Sequence, residues 1–265
     1  MSHHYTFGDS DQAGARLRRL AELYEPETRE LLKRGGTRAP TLAVDLGCGP
    51  GHSTRLLHDT LRPRRTVGLD SSERYVTQAL RAHGPELEFF VHDVTSRAFP
   101  VGAPDLLLCR FLLTHLRDPA RTLETWASIA RPGAQLLVHE TEALESSHPA
   151  LSRYYELVGA LQRQSGQRLH IGAHLEDSFA HTAWRLVESR ANPLEKSAPA
   201  MAELHLANLK TWRQDDYARG AFDLLELDRL EASLARIASG EEAAGSVRNV
   251  ARQIVAVRGA GRAGP

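Results

Sequence analysis

Short apolar runs alternate with amphipathic stretches along the first half of the chain. The runs lie at residues 42–46, 67–70, 87–94, 105–110 and 135–140. Several of them show no apolar–polar alternation, which is typical of strands buried on both faces of a parallel sheet. The segments between them repeat apolar residues at helical spacing. The pattern therefore predicts five strand–helix units and an α/β fold with a doubly wound, mostly parallel sheet.

The second half of the chain is mainly helical in pattern. Residues 147–165 and 173–181 predict helices, residues 184–190 a sixth strand, and residues 250–257 a last strand. Apolar positions at helical spacing over about 195–240 predict a helical insertion between these two strands. Such an insertion can cover the carboxyl edge of the sheet, where ligands of doubly wound folds bind.

Composition and charge narrow the class of protein. The 265 residues include 33 basic and 33 acidic side chains, so no global field favours nucleic acid. The two cysteines, Cys48 and Cys109, lie on elements expected to be buried and show neither a disulfide nor a metal-site pattern. Without a signal peptide or an apolar run near the ~18 residues of a membrane helix, we expect a cytoplasmic location.

The most informative segment is the strand, turn and helix start over residues 42–54. The turn contains Gly47, Gly49 and Gly51, which leave the backbone open so that a ligand can lie directly against it. The start of the following helix adds free N–H groups and positive dipole character, which suit a carboxylate or phosphate. This unit predicts a nucleotide-like ligand.

The turn departs from a dinucleotide-binding turn. His52 occupies the position of the third small residue of G-x-G-x-x-G/A, and no Gly-Lys-Ser/Thr of a phosphate-binding loop follows. Asp45 adds an acid before the turn, which suits an ammonium group and opposes a polyphosphate. The segment Val44–Gly51 resembles the first motif of class I S-adenosylmethionine (SAM)-dependent methyltransferases.

The resemblance covers residues 41–140 through four ordered motifs. It implies SAM as cofactor, S-adenosylhomocysteine (SAH) as product, and a seven-stranded sheet with an antiparallel last strand. It also implies an N-terminal helical lid in addition to the helical cap insertion. The cofactor-binding residues it implies are Tyr5, Phe7, Asp45, Gly47, Cys48, Gly49, Gly51, Asp70, Ser71, Asp93, Val94 and Arg110.

Some of these assignments have structural alternatives. Asp70, at the end of the second strand, can accept hydrogen bonds from both ribose hydroxyls, but it also precedes a helix that it could cap. In the family, an acid at the place of Asp93 accepts from the adenine amino group while the backbone of Val94 meets the ring. Asp93 could instead form a turn. Tyr5 and Phe7 would close over the cofactor, or belong to a segment that only patches the core.

The candidate catalytic residues lie at the ends of the fourth and fifth strands. Positioning can supply much of the rate of methyl transfer, because the sulfonium already makes the methyl group electrophilic. A base is needed only for a hydroxyl or a protonated amine, and His115, His139 and Glu140 are the candidates. Strand alternation puts His139 and Glu140 on opposite faces, so at most one serves. His115 could instead pack, and Arg110 could orient an acceptor or contact SAM through its backbone.

The sequence favours a metal-independent methyltransferase with a small organic acceptor. Arg110 and Phe111 follow the fourth strand, where a metal-assisted enzyme would carry acids. The apolar cap favours a hydrophobic or aromatic secondary metabolite, methylated on oxygen, nitrogen or carbon in natural-product biosynthesis. A non-catalytic SAM-binding regulatory or partner protein stays open, and so, less favoured, does an NAD-dependent oxidoreductase. We expect no nucleic-acid or membrane partner and leave a homodimer open.

These expectations divide the chain into five parts. They are an N-terminal lid with helices at 1–35, a SAM-binding core at 36–145, a substrate-side cap with strand six at 146–248, a final strand at 249–258, and a disordered tail at 259–265.

Overall fold

Residues 11–259 are described by a computed structural model in which seven strands form one sheet. The strands are β1 (Leu42–Leu46), β2 (Arg65–Asp70), β3 (Leu87–Val91), β4 (Leu106–Arg110), β5 (Gln135–Glu145), β6 (Trp184–Ser197) and β7 (Ser246–Arg258). The helices are α1 (Asp11–Gly35), α2 (His52–Leu61), α3 (Glu73–Ala82), α4 (Pro119–Ile129), α5 (Pro149–Gln164), α6 (Leu175–Phe179), α7 (Ala198–Trp212), α8 (Asp216–Ala221) and α9 (Leu224–Ser239). Short 3₁₀ helices lie at Leu113–His115 and Ile171–His174.

The sheet has the order β3-β2-β1-β4-β5-β7-β6. Strands β1 to β5 are parallel, and β7 lies between β5 and β6, antiparallel to both. All five residues of β1 are buried, as expected for a central strand covered by helices on both faces. The predicted α/β fold with a mostly parallel seven-stranded sheet and an antiparallel last strand is confirmed.

Local signals explain where several helices begin. The Ser72 hydroxyl accepts from the Tyr75 amide at the start of α3. Asp118 caps α4 in the same way, with Pro119 in the first turn where its missing N–H costs nothing. These caps fix the helices that follow β2 and the segment after β4, so they help to set the edge of the sheet where ligands bind.

The sixth and seventh strands are longer than predicted. They pair from Trp184 with Arg258 to Ser197 with Ser246, with one register shift between Leu186 and Glu188, whereas the sequence pattern indicated strands only over 184–190 and 250–257. The extension of β6 is polar and contains Pro193, which an edge strand tolerates because one side of its backbone needs no sheet partner. Long-range pairing, and not hydrophobic alternation, decides this part of the fold.

The helical insertion lies close to its predicted limits. Helices α7, α8 and α9 occupy residues 198–239, against the predicted 195–240. They pack with α5 into a second hydrophobic cluster beside the main sheet core, and Trp212 and Leu234 are fully buried in it. Helix α1 is continuous through Pro26, and within 11–259 no helix is long and apolar enough to cross a membrane. The predicted disordered tail lies mostly outside the described residues.

Candidate active site

The turn between β1 and α2 depends on glycine backbone geometry. Gly47, Gly49 and Gly51 have φ values of 67°, 52° and 87°, in the left-handed region that other residues rarely adopt. Gly51 forms the N-cap of α2. The sequence therefore needs glycine here to fold the turn, in addition to leaving space for a ligand.

Asp45 connects the end of β1 to the first turn of α2. Its Oδ2 accepts hydrogen bonds from Ser53 Oγ and Thr54 Oγ1, both at 2.7 Å. Burial raises the pKa of Asp45 to about 6, against the lowering effect of these two hydroxyls. The other oxygen, Oδ1, is buried and has no hydrogen-bond partner among the described residues. Asp45 thus stabilises the glycine turn through its Oδ2, and its Oδ1 remains an acceptor without a partner among the described residues.

Asp70 supports the glycine turn and the start of α3, where Ser72 is the N-cap, and its predicted contact with ribose hydroxyls stays a prediction. Its Oδ2 accepts from the Gly49 amide at 2.8 Å, and its Oδ1 accepts from the Ser72 amide at 2.9 Å. Together with Ser71 it also lines the cavity described below. The same carboxylate can therefore hold the glycine turn, support the start of α3 and face a ligand.

Asp93 makes the contacts of a turn. Its Oδ1 accepts from the Thr95 amide at 2.9 Å and from Thr95 Oγ1 at 2.7 Å, in an exposed position. Neither Asp93 nor Val94 lines the cavity. The turn-forming alternative therefore accounts for its observed contacts, and the adenine-binding assignment stays a prediction. Tyr5 and Phe7 lie outside the described residues, so the lid stays a prediction as well.

A cavity of about 500 Å³ extends from the glycine turn to the helices of the insertion. One end is formed by the turn and by the residues after β2. The opposite end lies between α1, α5 and α7 and has an apolar wall with several polar side chains. The apolar lining there is Leu20, Leu144, Val158, Leu169, Met201 and Leu204, and the polar lining is Arg16, Tyr154, Gln162, His205 and Asn208, whereas Leu17 lies beside the glycine turn.

The last residue of β4 and the segment after it border the middle of the cavity. Arg110 and Phe111 both line it, and Phe111 has a φ of 51°, which is unusual for a residue with a bulky side chain. The Phe111 ring lies 5.0 Å from the rings of Tyr24 and His139, centroid to centroid, and the Arg110 guanidinium carbon lies 5.6 Å from the Phe111 centroid. This packing holds a cation at the cavity wall.

Glu140 supports that segment from behind the cavity. Its Oε1 accepts from the amides of Leu112 and Leu113, both at 2.7 Å, which satisfies the start of the 3₁₀ helix. Burial raises the pKa of Glu140 to about 8, although the backbone amides oppose this shift. Glu140 does not line the cavity, so its geometry fits a structural support and not the predicted catalytic base.

His139 lies on the opposite face of β5, as strand alternation predicted. Its Nδ1 is 3.0 Å from Thr28 Oγ1 on α1, and burial lowers its pKa to about 3. His139 is fully buried and does not line the cavity, so its predicted role as base is not supported by its position either.

His115 and Arg110 are the predicted catalytic residues that do line the cavity. Burial, with a smaller contribution from the nearby Arg16, lowers the pKa of His115 to about 3. A histidine with so low a pKa is a weak base at neutral pH. In the described part of the chain, no group of three or more histidine, cysteine, aspartate and glutamate residues is arranged to hold a metal ion.

Sequence reasoning missed the polar side chains at the far end of the cavity. Arg16 lies on the apolar face of α1 with Ala13, and Asn208 lies on the buried face of α7. No local motif marks either residue. The signal that could have found them is a polar side chain within an otherwise apolar helical face, because such a residue must have a buried partner or a ligand.

Comparison with known proteins identifies a recurrent domain. Residues 43–133 match a family described as a methyltransferase domain. The chain is 38% identical over 120 residues to a trans-aconitate 2-methyltransferase of Methylobacterium radiotolerans, a match that covers 45% of each chain. It is 33% identical over 120 residues to the Escherichia coli O157:H7 protein of that name, covering 45% of this chain and 47% of that one. The matches thus span about half the length of these curated relatives.

Solved structures show the same fold over most of the chain. A Bacillus halodurans protein described as a putative methyltransferase has a TM-score of 0.60 at 14% identity, covering 89% of this chain and all of that one (100%). A Haloferax volcanii chain from a complex of the Trm112 methyltransferase activator with its partner methyltransferase has a TM-score of 0.60 at 20% identity, covering 98% and 100%. Haemonchus contortus phosphoethanolamine N-methyltransferase 2, solved with SAM, has a TM-score of 0.56 at 16% identity, covering 92% and 57%.

Proposed function

We propose that residues 43–133, which match a methyltransferase domain, form a class I SAM-dependent methyltransferase domain, and that the whole chain uses it to methylate a small organic acceptor. The observation that carries the proposal is the continuous cavity between the glycine turn and the helical insertion. It gives a cofactor and an acceptor adjoining places within one space. SAM supplies a methyl group made electrophilic by its sulfonium, so holding the acceptor in line is the main requirement.

The residues at the glycine end fit this cofactor. The turn offers a backbone without Cβ atoms at Gly47 and Gly49, and Asp70 offers carboxylate oxygens for hydroxyl groups. Arg110 offers a cation for a carboxylate on the other side of the cavity. Asp45 does not line the cavity, but its buried Oδ1 without a partner among the described residues adds negative character behind the turn, which suits the ammonium group. This donor set favours SAM over NAD.

The acceptor end supports transfer by positioning. Its wall is largely apolar, which excludes water and suits an acceptor with an apolar body, as a hydrophobic or aromatic secondary metabolite would have. His115 is the predicted base that lines the cavity, and it is a weak base at neutral pH because burial lowers its pKa to about 3. We therefore infer an acceptor that is already nucleophilic when it binds, such as a carboxylate, a neutral amine or an electron-rich ring carbon.

The relatives widen the set of acceptors that we would test. Their names give trans-aconitate as the acceptor of those proteins, which supports a small-molecule acceptor here as well. Because the match covers about half of each chain, trans-aconitate enters as one candidate beside hydrophobic and aromatic acids and amines. Cytoplasmic location and natural-product biosynthesis remain part of the proposal.

The test has a binding step and a turnover step. Calorimetry with SAM, SAH and NAD should show micromolar binding of the first two, on the order of −8 kcal/mol, and none of NAD. Incubation with SAM and the acceptor panel should then release SAH above an acceptor-free blank, measured by mass spectrometry. Absence of SAM binding would refute the proposal. SAM binding without SAH release for any acceptor would favour the non-catalytic SAM-binding alternative.

A further inference from the structure

The far end of the cavity contains a buried cation fixed in place by a neighbouring helix. Arg16 on α1 donates from Nη1 to Asn208 Oδ1 on α7 at 2.9 Å, and the two residues are only 6% and 7% exposed. Both line the cavity. The Asn208 carbonyl oxygen accepts from the guanidinium, and the Asn208 side chain also interacts with the Tyr154 hydroxyl, so the three polar groups lie together at this site.

Other polar side chains surround this pair and have unused hydrogen-bonding capacity. Gln162 is 1% exposed and its Oε1 has no partner in the described structure, and His205 is 4% exposed with an unpaired Nδ1. The hydroxyl of Tyr154 stays protonated at neutral pH, since burial raises its pKa to about 12. All three residues line the cavity. Buried polar atoms are normally satisfied, so atoms left open in a cavity wall point to a ligand.

The positive charge of Arg16 at the acceptor end of the cavity favours a negatively charged ligand group. Among the described residues that line the cavity, Asp70 alone carries a carboxylate, and it lies at the glycine turn. Among the described residues that line the acceptor end, Arg16 is the side chain that carries a formal charge. A buried guanidinium is stabilised best by a carboxylate, which it can bind through two parallel N–H groups.

We propose that this end of the cavity binds a carboxylate of the methyl acceptor, with Arg16 as the specificity-determining residue and Asn208 as the residue that positions it. This deepens the proposed function and rests on it. The Arg16 guanidinium shares this end of the cavity with apolar side chains that include Leu144, Met201 and Leu204. That combination fits a monocarboxylic acid with an apolar body better than a tricarboxylate such as trans-aconitate, which would need additional cations.

The test compares an acid with its uncharged amide. We would titrate SAH-saturated protein with 3-phenylpropionate, 3-phenylpropanamide and trans-aconitate, and measure each dissociation constant. Wild type should bind the acid about ten-fold more tightly than the amide, because the charged hydrogen bond is lost with the amide. Arg16→Gln should remove this preference, Arg16→Lys should retain part of it, and Asn208→Ala should reduce it.

Arg19 provides a matched control. It also joins α1 to α7, through Glu203, but it is exposed and lies outside the cavity lining. Arg19→Gln should leave the preference for the acid unchanged. Unchanged SAH binding by each variant shows that the fold and the cofactor end are intact, so a loss of acid binding is then local.

Four results would overturn the carboxylate proposal or its monocarboxylate part. They are equal binding of acid and amide by wild type, an undiminished preference in Arg16→Gln, no carboxylate binding at millimolar concentration, and tighter binding of trans-aconitate than of the monoacid. Failure of wild type to bind SAH, seen before any acid is added, would instead refute the proposed function.

Discussion

The Asp70 carboxylate accepts a hydrogen bond from the Gly49 amide at 2.8 Å and so ties the end of β2 to the glycine turn after β1. These elements lie on adjacent parallel strands, and the bond fixes the turn where the cavity begins. The acid is thus part of the cavity wall and a support for the turn. A ligand that uses this wall depends on Asp70 in both ways.

Replacing Asp70 by alanine should weaken SAM binding by ~1–3 kcal/mol, because ligand hydroxyls lose an acceptor and the Gly49 amide loses its partner. Calorimetry on the purified variant measures the change. Asp93→Ala is the control, since Asp93 is exposed and accepts hydrogen bonds from Thr95 in its own turn, outside the cavity lining. Full SAM binding by Asp70→Ala would refute this prediction, and an equal loss in Asp93→Ala would restore the adenine-binding assignment.

Gly49→Ala should weaken SAH binding much more than Gly133→Ala. Both glycines have positive φ, 52° and 80°, so both variants bear a similar backbone strain, of order 1 kcal/mol. A Cβ at Gly49 would enter the cavity wall and approach Leu17 Cδ1 at 3.3 Å, whereas one at Gly133 meets nothing within 4 Å. Thermal unfolding reports the shared strain, and calorimetry reports the ligand effect. Equal SAH affinities in the two variants would contradict close approach of the ligand to Gly49.

Glu140 should make the protein less stable as the pH rises from about 4.5 to about 8. Burial raises its folded pKa from 4.5 to about 8, so the native state holds the proton more tightly than the unfolded chain. The stabilising contribution is fully present below the unfolded value and is lost as the pH rises through the folded value. Denaturant unfolding at pH 5 and pH 8 should show this slope in wild type.

Glu140→Gln should remove that part of the slope while its amide oxygen still accepts from the Leu112 and Leu113 amides. Glu140→Ala should lower stability at both pH values, by ~1–2 kcal/mol, because the start of the 3₁₀ helix loses its acceptor. Glu145→Gln, on the exposed end of the same strand, is the control and should keep the wild-type slope. An unchanged slope in Glu140→Gln would show that the carboxyl group is not the titrating group.

His115→Ala should reduce turnover only a few-fold, because a histidine with a pKa of about 3 contributes little as a base at neutral pH. Its pH–rate profile between pH 5.5 and 8 should match that of wild type. His139→Ala, which removes a buried contact to Thr28, should lower stability more than it lowers the turnover of folded protein. A loss of ~10²–10⁴-fold in His115→Ala, with normal SAM affinity, would instead establish His115 as a base.

Turnover should be insensitive to EDTA, since the segment after β4 presents Arg110 and Phe111 at the cavity and not an acid cluster. The assay compares initial rates with and without the chelator after dialysis. A rate lost in EDTA and restored by magnesium would overturn the expectation of a metal-independent reaction.

The cofactor end of the site was largely predictable because its signals are local. Gly47, Gly49 and Asp70 lie at the ends of strands that the apolar runs locate, and parallel strands bring their carboxyl ends to one edge. Sequence could not separate the roles of His139 and Glu140, because both end the same strand. Their packing against Thr28 on one face and the Leu112 amide on the other decided that they support the site from outside the cavity.

The strands of the parallel sheet, the order of the motifs and the glycine turn could be read from the sequence, because they depend on hydrophobic periodicity and on backbone conformations that few residues can adopt. Only the tertiary structure decided the length of β6 and the acceptor end of the cavity. The first depends on pairing with β7, and the second joins Arg16 to Asn208 across most of the chain. A polar residue on an apolar helical face shows only that it needs a partner, and the partner itself is 192 positions away in the sequence, so the fold alone identifies it.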